Sequence, residues 1–108
     1  MESSYRIGKL KSSYIKVNDQ GAFYIEPDQN DEYERDDDRG EFEKHVRKIL
    51  GDSYCSNGFP DFGWTWVMDG ATLSRIIEEY NSTVKTQIFT DLEIDYNSQY
   101  YLQWIDWS

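Results

Sequence analysis

Two short runs of β-branched and aromatic residues, Tyr14-Ile15-Lys16-Val17 and Ala22-Phe23-Tyr24-Ile25, stand on either side of Asn18-Asp19-Gln20-Gly21. Strand formers around a turn-rich tetrapeptide predict a β-hairpin. Residues 5–10 supply a third strand for the same unit. Pro27 closes this region, and residues 28–38 follow with seven acids and Tyr33 as their one large apolar side chain. Such a stretch reads as a solvated loop.

Asp38 and Glu41 have capping-box spacing, and Phe42, Val46, Ile49 and Leu50 then fall at i, i+4, i+7 and i+8, with Gly51 just beyond. The spacing predicts a helix of about three turns. Glu41 and Glu43 lead it while Lys44, Arg47 and Lys48 trail, the order that the helix dipole favours. Residues 51–63 hold three glycines and Pro60 and read as a loop that runs into Trp64-Thr65-Trp66-Val67-Met68. Asp69 or Thr72 is placed to cap a second helix, in which Leu73, Ile76, Ile77 and Tyr80 recur at helical spacing up to a stop near Asn81.

The last third reads as three strands, at residues 84–90, 92–96 and 99–107. In the second, Leu92, Ile94 and Tyr96 point one way while Asp91, Glu93 and Asp95 point the other. In the third, Tyr101 and Trp107 lie opposite Tyr100 and Trp104, so both faces carry large rings. One face must then be core, and the other is either covered by a helix or offered to a partner. The expected fold class is α+β: a single domain over residues 1–108, with a mostly antiparallel, curved sheet and two short helices packed on it.

Composition fits that size, since 108 residues and 12.9 kDa suit one domain. Leu, Ile, Val and Phe number only 23. Nine Tyr and four Trp supply the remaining buried area that offsets chain entropy. The net charge of -10 sets the molecule's field against a nucleic-acid backbone, so direct nucleic-acid binding is not expected. That charge lies in blocks: +3 over residues 1–17, -9 over 18–43, +3 over 44–50 and -7 over 51–108. No apolar run reaches the length of a membrane span, and the first 17 residues lack the apolar stretch of a secretory signal. The expectation is a cytoplasmic protein that does not enter a membrane.

Candidate chemistry adds little to this. Cys55 and His45 are the one cysteine and the one histidine, too few ligands for a structural zinc site. On a helix whose apolar positions are Phe42, Val46 and Ile49, His45 reads as a structural side chain rather than a base for nucleophilic catalysis. Asp61-Phe62-Gly63 spells a kinase metal-binding triplet, but the Gly-rich loop, strand lysine and catalytic loop that give it meaning are missing, so it reads as a turn. Counting an EF-hand loop from Asp28 puts Tyr33 where glycine belongs and Arg39 where glutamate belongs. No enzyme activity, cofactor or metal is therefore expected.

Two features exceed what folding requires. One is the pair of acidic surfaces: Asp31, Glu34, Asp36 and Asp37 in the acidic loop, and the row Asp91, Glu93 and Asp95, spaced by about 6.5 Å if it is a strand. The other is the aromatic tail, from which Tyr101 and Trp107 are the candidates to meet a partner, as Tyr and Trp dominate interface hot spots. In size and composition the chain is similar to small acidic inhibitor proteins, a class spread over unrelated folds. The expected partner is a basic protein, a nuclease toxin or another nucleic-acid-binding effector. The first expectation is an immunity protein that occludes a nuclease active site; the second is a phage-type nucleic-acid mimic, an anti-CRISPR or anti-restriction protein. A structural or adaptor subunit of an assembly is a third.

Overall fold

Large side chains on both faces of residues 99–106 are what a strand buried on both sides needs, and that segment is the centre of the sheet. The computed structural model describes residues 3–27, 33–36, 40–56, 62–84, 89 and 92–106. Along the chain come β1 (Ser3–Lys9), a 3-10 turn (Ser12–Tyr14), β2 (Ile15–Val17), β3 (Phe23–Ile25), β4 (Tyr33–Asp36), α1 (Glu41–Leu50), β5 (Cys55–Ser56), β6 (Phe62–Asp69), α2 (Gly70–Asn81) and β7 (Gln99–Asp106). A five-stranded sheet has the order β4-β1-β7-β6-β5, and β2-β3 form a second, two-stranded sheet. Among the described residues every pairing is antiparallel. The class is α+β.

The register explains how the layers form. Tyr5, Trp104 and Trp64 share one rung, and Ile7, Leu102 and Trp66 share another. Their face of the sheet meets Phe42 and Val46 of α1 and Leu73, Ile76 and Ile77 of α2 in the main core. The opposite face carries Tyr101, which packs against Tyr14 and Ile25 of the hairpin region in a smaller cluster. Helices thus cover one side of β7, and the β2-β3 hairpin covers the other.

Several elements differ from the sequence expectation. Residues 5–10 extend no hairpin: β1 joins the five-stranded sheet between β4 and β7. The acidic segment is not all loop, because Tyr33–Asp36 form β4 on the free edge of β1. An edge strand tolerates charged side chains that a central strand would not, so polarity alone was a poor guide there. Asp38 lies outside the described residues, and the N-cap position of α1 is Gly40, whose φ of 69° is the left-handed region that glycine enters freely. The loop after Gly51 contains the two residues of β5, and β6 already begins at Phe62. Phe62 and Gly63 are therefore strand rather than turn, while Asp61 lies outside the described residues.

The strand expected at 92–96 is the main correction, while the one expected at 84–90 lies mostly outside the described residues. Val84, Phe89 and residues 92–95 have no regular secondary structure, and 96–97 are in a turn; residues 85–88 and 90–91 lie outside the described set. The reason is competition for partners. Both edges of β7 are taken, by β1 and β6, and the local polar groups of this segment bind one another instead. Asp69 does cap α2 as its position suggested, accepting from the Thr72 backbone N–H at 2.8 Å.

Candidate functional site

Residues 92–98 form the last stretch before β7, and the alternation expected of them holds over 92–95 without a ladder but fails at Tyr96, which is exposed rather than buried with Leu92 and Ile94. Leu92 and Ile94 pack against the main core, while Glu93, Asp95 and Tyr96 are exposed. What holds the backbone is a set of short local bonds. Leu92 N–H donates to Phe89 O at 3.2 Å, and Ser98 N–H donates to Asp95 O at 3.1 Å. The buried Tyr100 hydroxyl accepts from Asp95 N–H at 2.8 Å. Gly70 N–H, in the first turn of α2, donates to Ser98 O at 2.9 Å.

The Asp95 carboxylate completes the turn, accepting from Asn97 N–H at 3.0 Å and from Ser98 Oγ at 2.8 Å. The Asn97 backbone bond first, then the Ser98 hydroxyl and the Lys9 charge, hold its carboxyl below the ordinary 3.8. Asp69 is lowered in the same way, by its bonds to Thr72. Because the folded state binds these protons less readily, the stabilisation is whole above the ordinary value and is lost as pH falls below it. We expect the denaturation midpoint to drop on acidification from about pH 5 to the carboxylate range and below, and Asp69→Asn and Asp95→Asn each to flatten that drop. An unchanged acid limb in both variants would contradict the assignment.

Tyr96, 58% exposed, follows Asp95 in the chain, with its hydroxyl 3.4 Å from Ser74 Oγ on α2. Glu93, Asp95 and Tyr96 thus lie on an acidic turn braced on the start of α2, where Asp69 is the cap. Of the partner-binding residues expected from the sequence, Glu93 and Asp95 belong to this turn, and Asp91 lies outside the described residues. Glu34 and Asp36 lie in β4 at the sheet edge, paired opposite Arg6 and Ser4 of β1; Asp31 and Asp37 lie outside the described residues, as does Trp107. Tyr101 is corrected: it is 1% exposed and meets Tyr14 edge-on at 6.2 Å, so it belongs to the core under the hairpin. Tyr96, by contrast, is exposed, as is Phe23 of the hairpin.

Other polar side chains serve the frame. His45 Nε2 lies 3.1 Å from Ile76 O, and since a carbonyl only accepts, this nitrogen donates and links α1 to α2. Burial pushes the Cys55 thiol above its ordinary 9.0, the opposite of what a nucleophile needs. Thr65, Gln103 and Arg6 share one rung of the sheet and are all buried. Gln103 Nε2 donates to Thr65 Oγ1 at 3.2 Å and to Ile25 O at 3.4 Å, which ties the hairpin to the sheet. This role went unread in the sequence, where the signal was one amide in an aromatic strand.

A cleft of about 500 Å³ lies beside α1, lined by residues that include Arg47, Lys44, Trp64 and Trp104. Trp64 stacks with Trp104 at 4.7 Å and with Tyr54 at 5.1 Å, and the Arg47 guanidinium lies 4.3 Å over it. Those contacts occupy the ring faces that a flat ligand would use. Among the described residues no group of three or more His, Cys, Asp or Glu is placed to hold a metal ion, and no helix is long and apolar enough to cross a membrane.

The fold and the turn together define an α+β protein with an acidic, tyrosine-bearing surface on a well-bonded support. No protein-family model, curated protein or solved structure matches the chain.

Proposed function

We propose that this chain is a small acidic binding protein of the cytoplasm that inhibits a basic, nucleic-acid-handling protein, in the manner of an immunity protein set against a nuclease-type toxin. The observation that carries the reading is the braced turn: Glu93 and Asp95 exposed beside a 58% exposed Tyr96, on a backbone held by bonds to Tyr100, Phe89 and Gly70. A support that is already ordered loses little entropy on binding. Its carboxylates take the place of substrate phosphates against the partner's Lys and Arg, and the ring supplies a desolvated centre. The net charge of -10 steers the encounter.

Affinity capture from the source cell followed by mass spectrometry supplies the partner, expected to be a basic nuclease at one to one. Binding kinetics then test the surface. The Glu93→Gln/Asp95→Asn double variant removes both charges while Asn keeps an oxygen to accept from Asn97. We expect it to weaken the complex by about 2 kcal/mol, roughly 30-fold, if those charges meet buried basic groups. Wild-type association should slow steeply from low to physiological salt, with little change in dissociation. A salt-sensitive shift of duplex DNA by micromolar protein would overturn the reading, because an inhibitor of this kind has no business with the nucleic acid itself.

A further inference from the structure

The cleft beside α1 departs from the acidic character of the chain. Residues 44–50 carry +3 in a molecule of -10, and two of those cations, Lys44 and Arg47, line the cleft together with Glu43 and the stacked rings of Trp64 and Trp104. Exposed charges more than about 8 Å away are largely screened at physiological salt, so an occupant responds to these groups and little to distant acids. Two donors of the lining residues lack an acceptor: Trp64 Nε1 and Arg47 Nη2 are buried and, among the described residues, donate to nothing. Trp66, two residues on, shows the usual outcome, giving its Nε1 proton to Gly51 O at 3.3 Å. A buried donor left unmade is costly, more so when it is charged.

Charge and shape narrow what relieves that cost. The Arg47 guanidinium lies 4.3 Å over the Trp64 ring, close enough for the two oxygens of one carboxylate to accept from both side chains at about 2.9 Å each. The Arg47 side chain is 40% exposed, so its far end can tilt to admit such a group. Its Nε already faces Glu43 Oε1 at 3.1 Å, which leaves Lys44 as the cation in excess. The pairing of Lys44 with Glu41, at 3.8 Å between exposed groups, contributes little. One negative charge is balanced there, whereas a phosphate dianion would press a second against Glu43. With Tyr54, Trp104 and Arg47 on the faces of Trp64, a flat ring has no face to stack on, and a compact aliphatic body fits better. A volume of about 500 Å³ is within the range of small-molecule sites.

We propose that the cleft beside α1 binds an aliphatic monocarboxylate, whose oxygens accept from Arg47 Nη2 and Trp64 Nε1 while its apolar body lies against the indole edges. The site shares no residue with the turn at Glu93, Asp95 and Tyr96, and its ligand has the opposite charge to the basic partner proposed above. The same chemistry occurs in a free branched-chain acid and in the C-terminal carboxylate of a chain that ends on an aliphatic residue.

The test titrates the full chain, labelled with nitrogen-15, with isocaproate as the free acid and with acetyl-alanyl-leucine as the chain terminus. The indole N–H signal of Trp64, identified by its loss in Trp64→Phe, is expected to move downfield as it gains an acceptor, with half-saturation below about 10 mM. That of Trp66, already bonded to Gly51, should stay in place. Tighter binding of isocaproate assigns the site to a free acid, and tighter binding of the dipeptide assigns it to a chain terminus; a Trp64 signal that moves with neither overturns the proposal. Isocaproamide has the same shape without the charge and is expected to bind roughly tenfold more weakly. Equal binding of the amide would mean that the cleft takes apolar bodies without reading the carboxylate, and would overturn the proposal, as would tighter binding of isoamyl phosphate. Arg47→Lys keeps the positive charge but removes Nη2 and the planar group over the ring. With wild-type circular dichroism it should bind isocaproate roughly tenfold more weakly, and wild-type affinity in it would count against the assigned donor.

Discussion

Replacing Trp66 by alanine is expected to destabilise the protein by about 3–5 kcal/mol, the range for emptying a large aromatic site in a packed core. The indole is 1% exposed, shares a sheet rung with Leu102 and Ile7, and meets Tyr54 edge-on at 5.5 Å. Its Nε1 also donates to Gly51 O at 3.3 Å, which fastens the end of α1 to the sheet. A typical stability of about 5–15 kcal/mol leaves little margin after that loss. Trp66→Phe separates the two contributions, since it keeps a ring but no donor. It should cost less than Trp66→Ala, with the remainder reporting the bond to Gly51 and the unfilled volume. Urea denaturation followed by circular dichroism measures both variants; a loss under about 1 kcal/mol for the alanine variant would mean that the core closes without this ring.

Gly70→Ala gives the second large effect, and its sign discriminates. By helix propensity alone, glycine to alanine in a helix gains up to about 1 kcal/mol. The tertiary structure argues the reverse, because a Cβ on Gly70 would run into the Asp95 carbonyl and crowd the Tyr96 Cα. The obstacle is backbone, which cannot swing aside as a long side chain can. Either the turn lifts off α2 or the first helical turn shifts, and each threatens the bond from Gly70 N–H to Ser98 O. We expect a net loss of about 2–3 kcal/mol, as for overpacking, and a fall of roughly 10 °C or more in thermal midpoint. Because the displaced segment carries Glu93, Asp95 and Tyr96, partner affinity should fall along with stability. A variant as stable as the parent would show that the turn is not seated on α2 in this way.

Where periodicity ran over two or more turns, the elements were legible from the residues. The spacing of Phe42, Val46, Ile49 and Leu50 became α1, and that of Leu73, Ile76 and Ile77 became α2, with Asp69 as the cap. Large side chains on both faces of residues 99–107 called for a core on one face and a cover or a partner on the other; over the described residues 99–106 the helices take one face and the hairpin the other. The exposed positions Glu93 and Asp95 also followed from alternation, though the same pattern suggested a strand that is not there. An alternating pattern reports which side chains are buried, and burial needs no ladder.

Which segments pair was settled elsewhere. Strand pairing depends on edges that distant segments leave open, and no local pattern encodes them. So Tyr33–Asp36, polar enough to read as loop, found the free side of β1, while residues 92–96, with better strand character, met a β7 already flanked on both sides. Tyr101 is buried and Tyr96 exposed, against the sequence expectation, for the same reason: a ring's exposure depends on what folds over it. The hairpin covers Tyr101, and the turn braced on Gly70 leaves Tyr96 in solvent. The sequence by itself determined the helices, the hairpin, the α+β class and the excess of negative charge, because these follow from local spacing and composition. Only the tertiary structure decided the strand order and which acids and rings share a surface, because those depend on contacts between residues far apart in the chain.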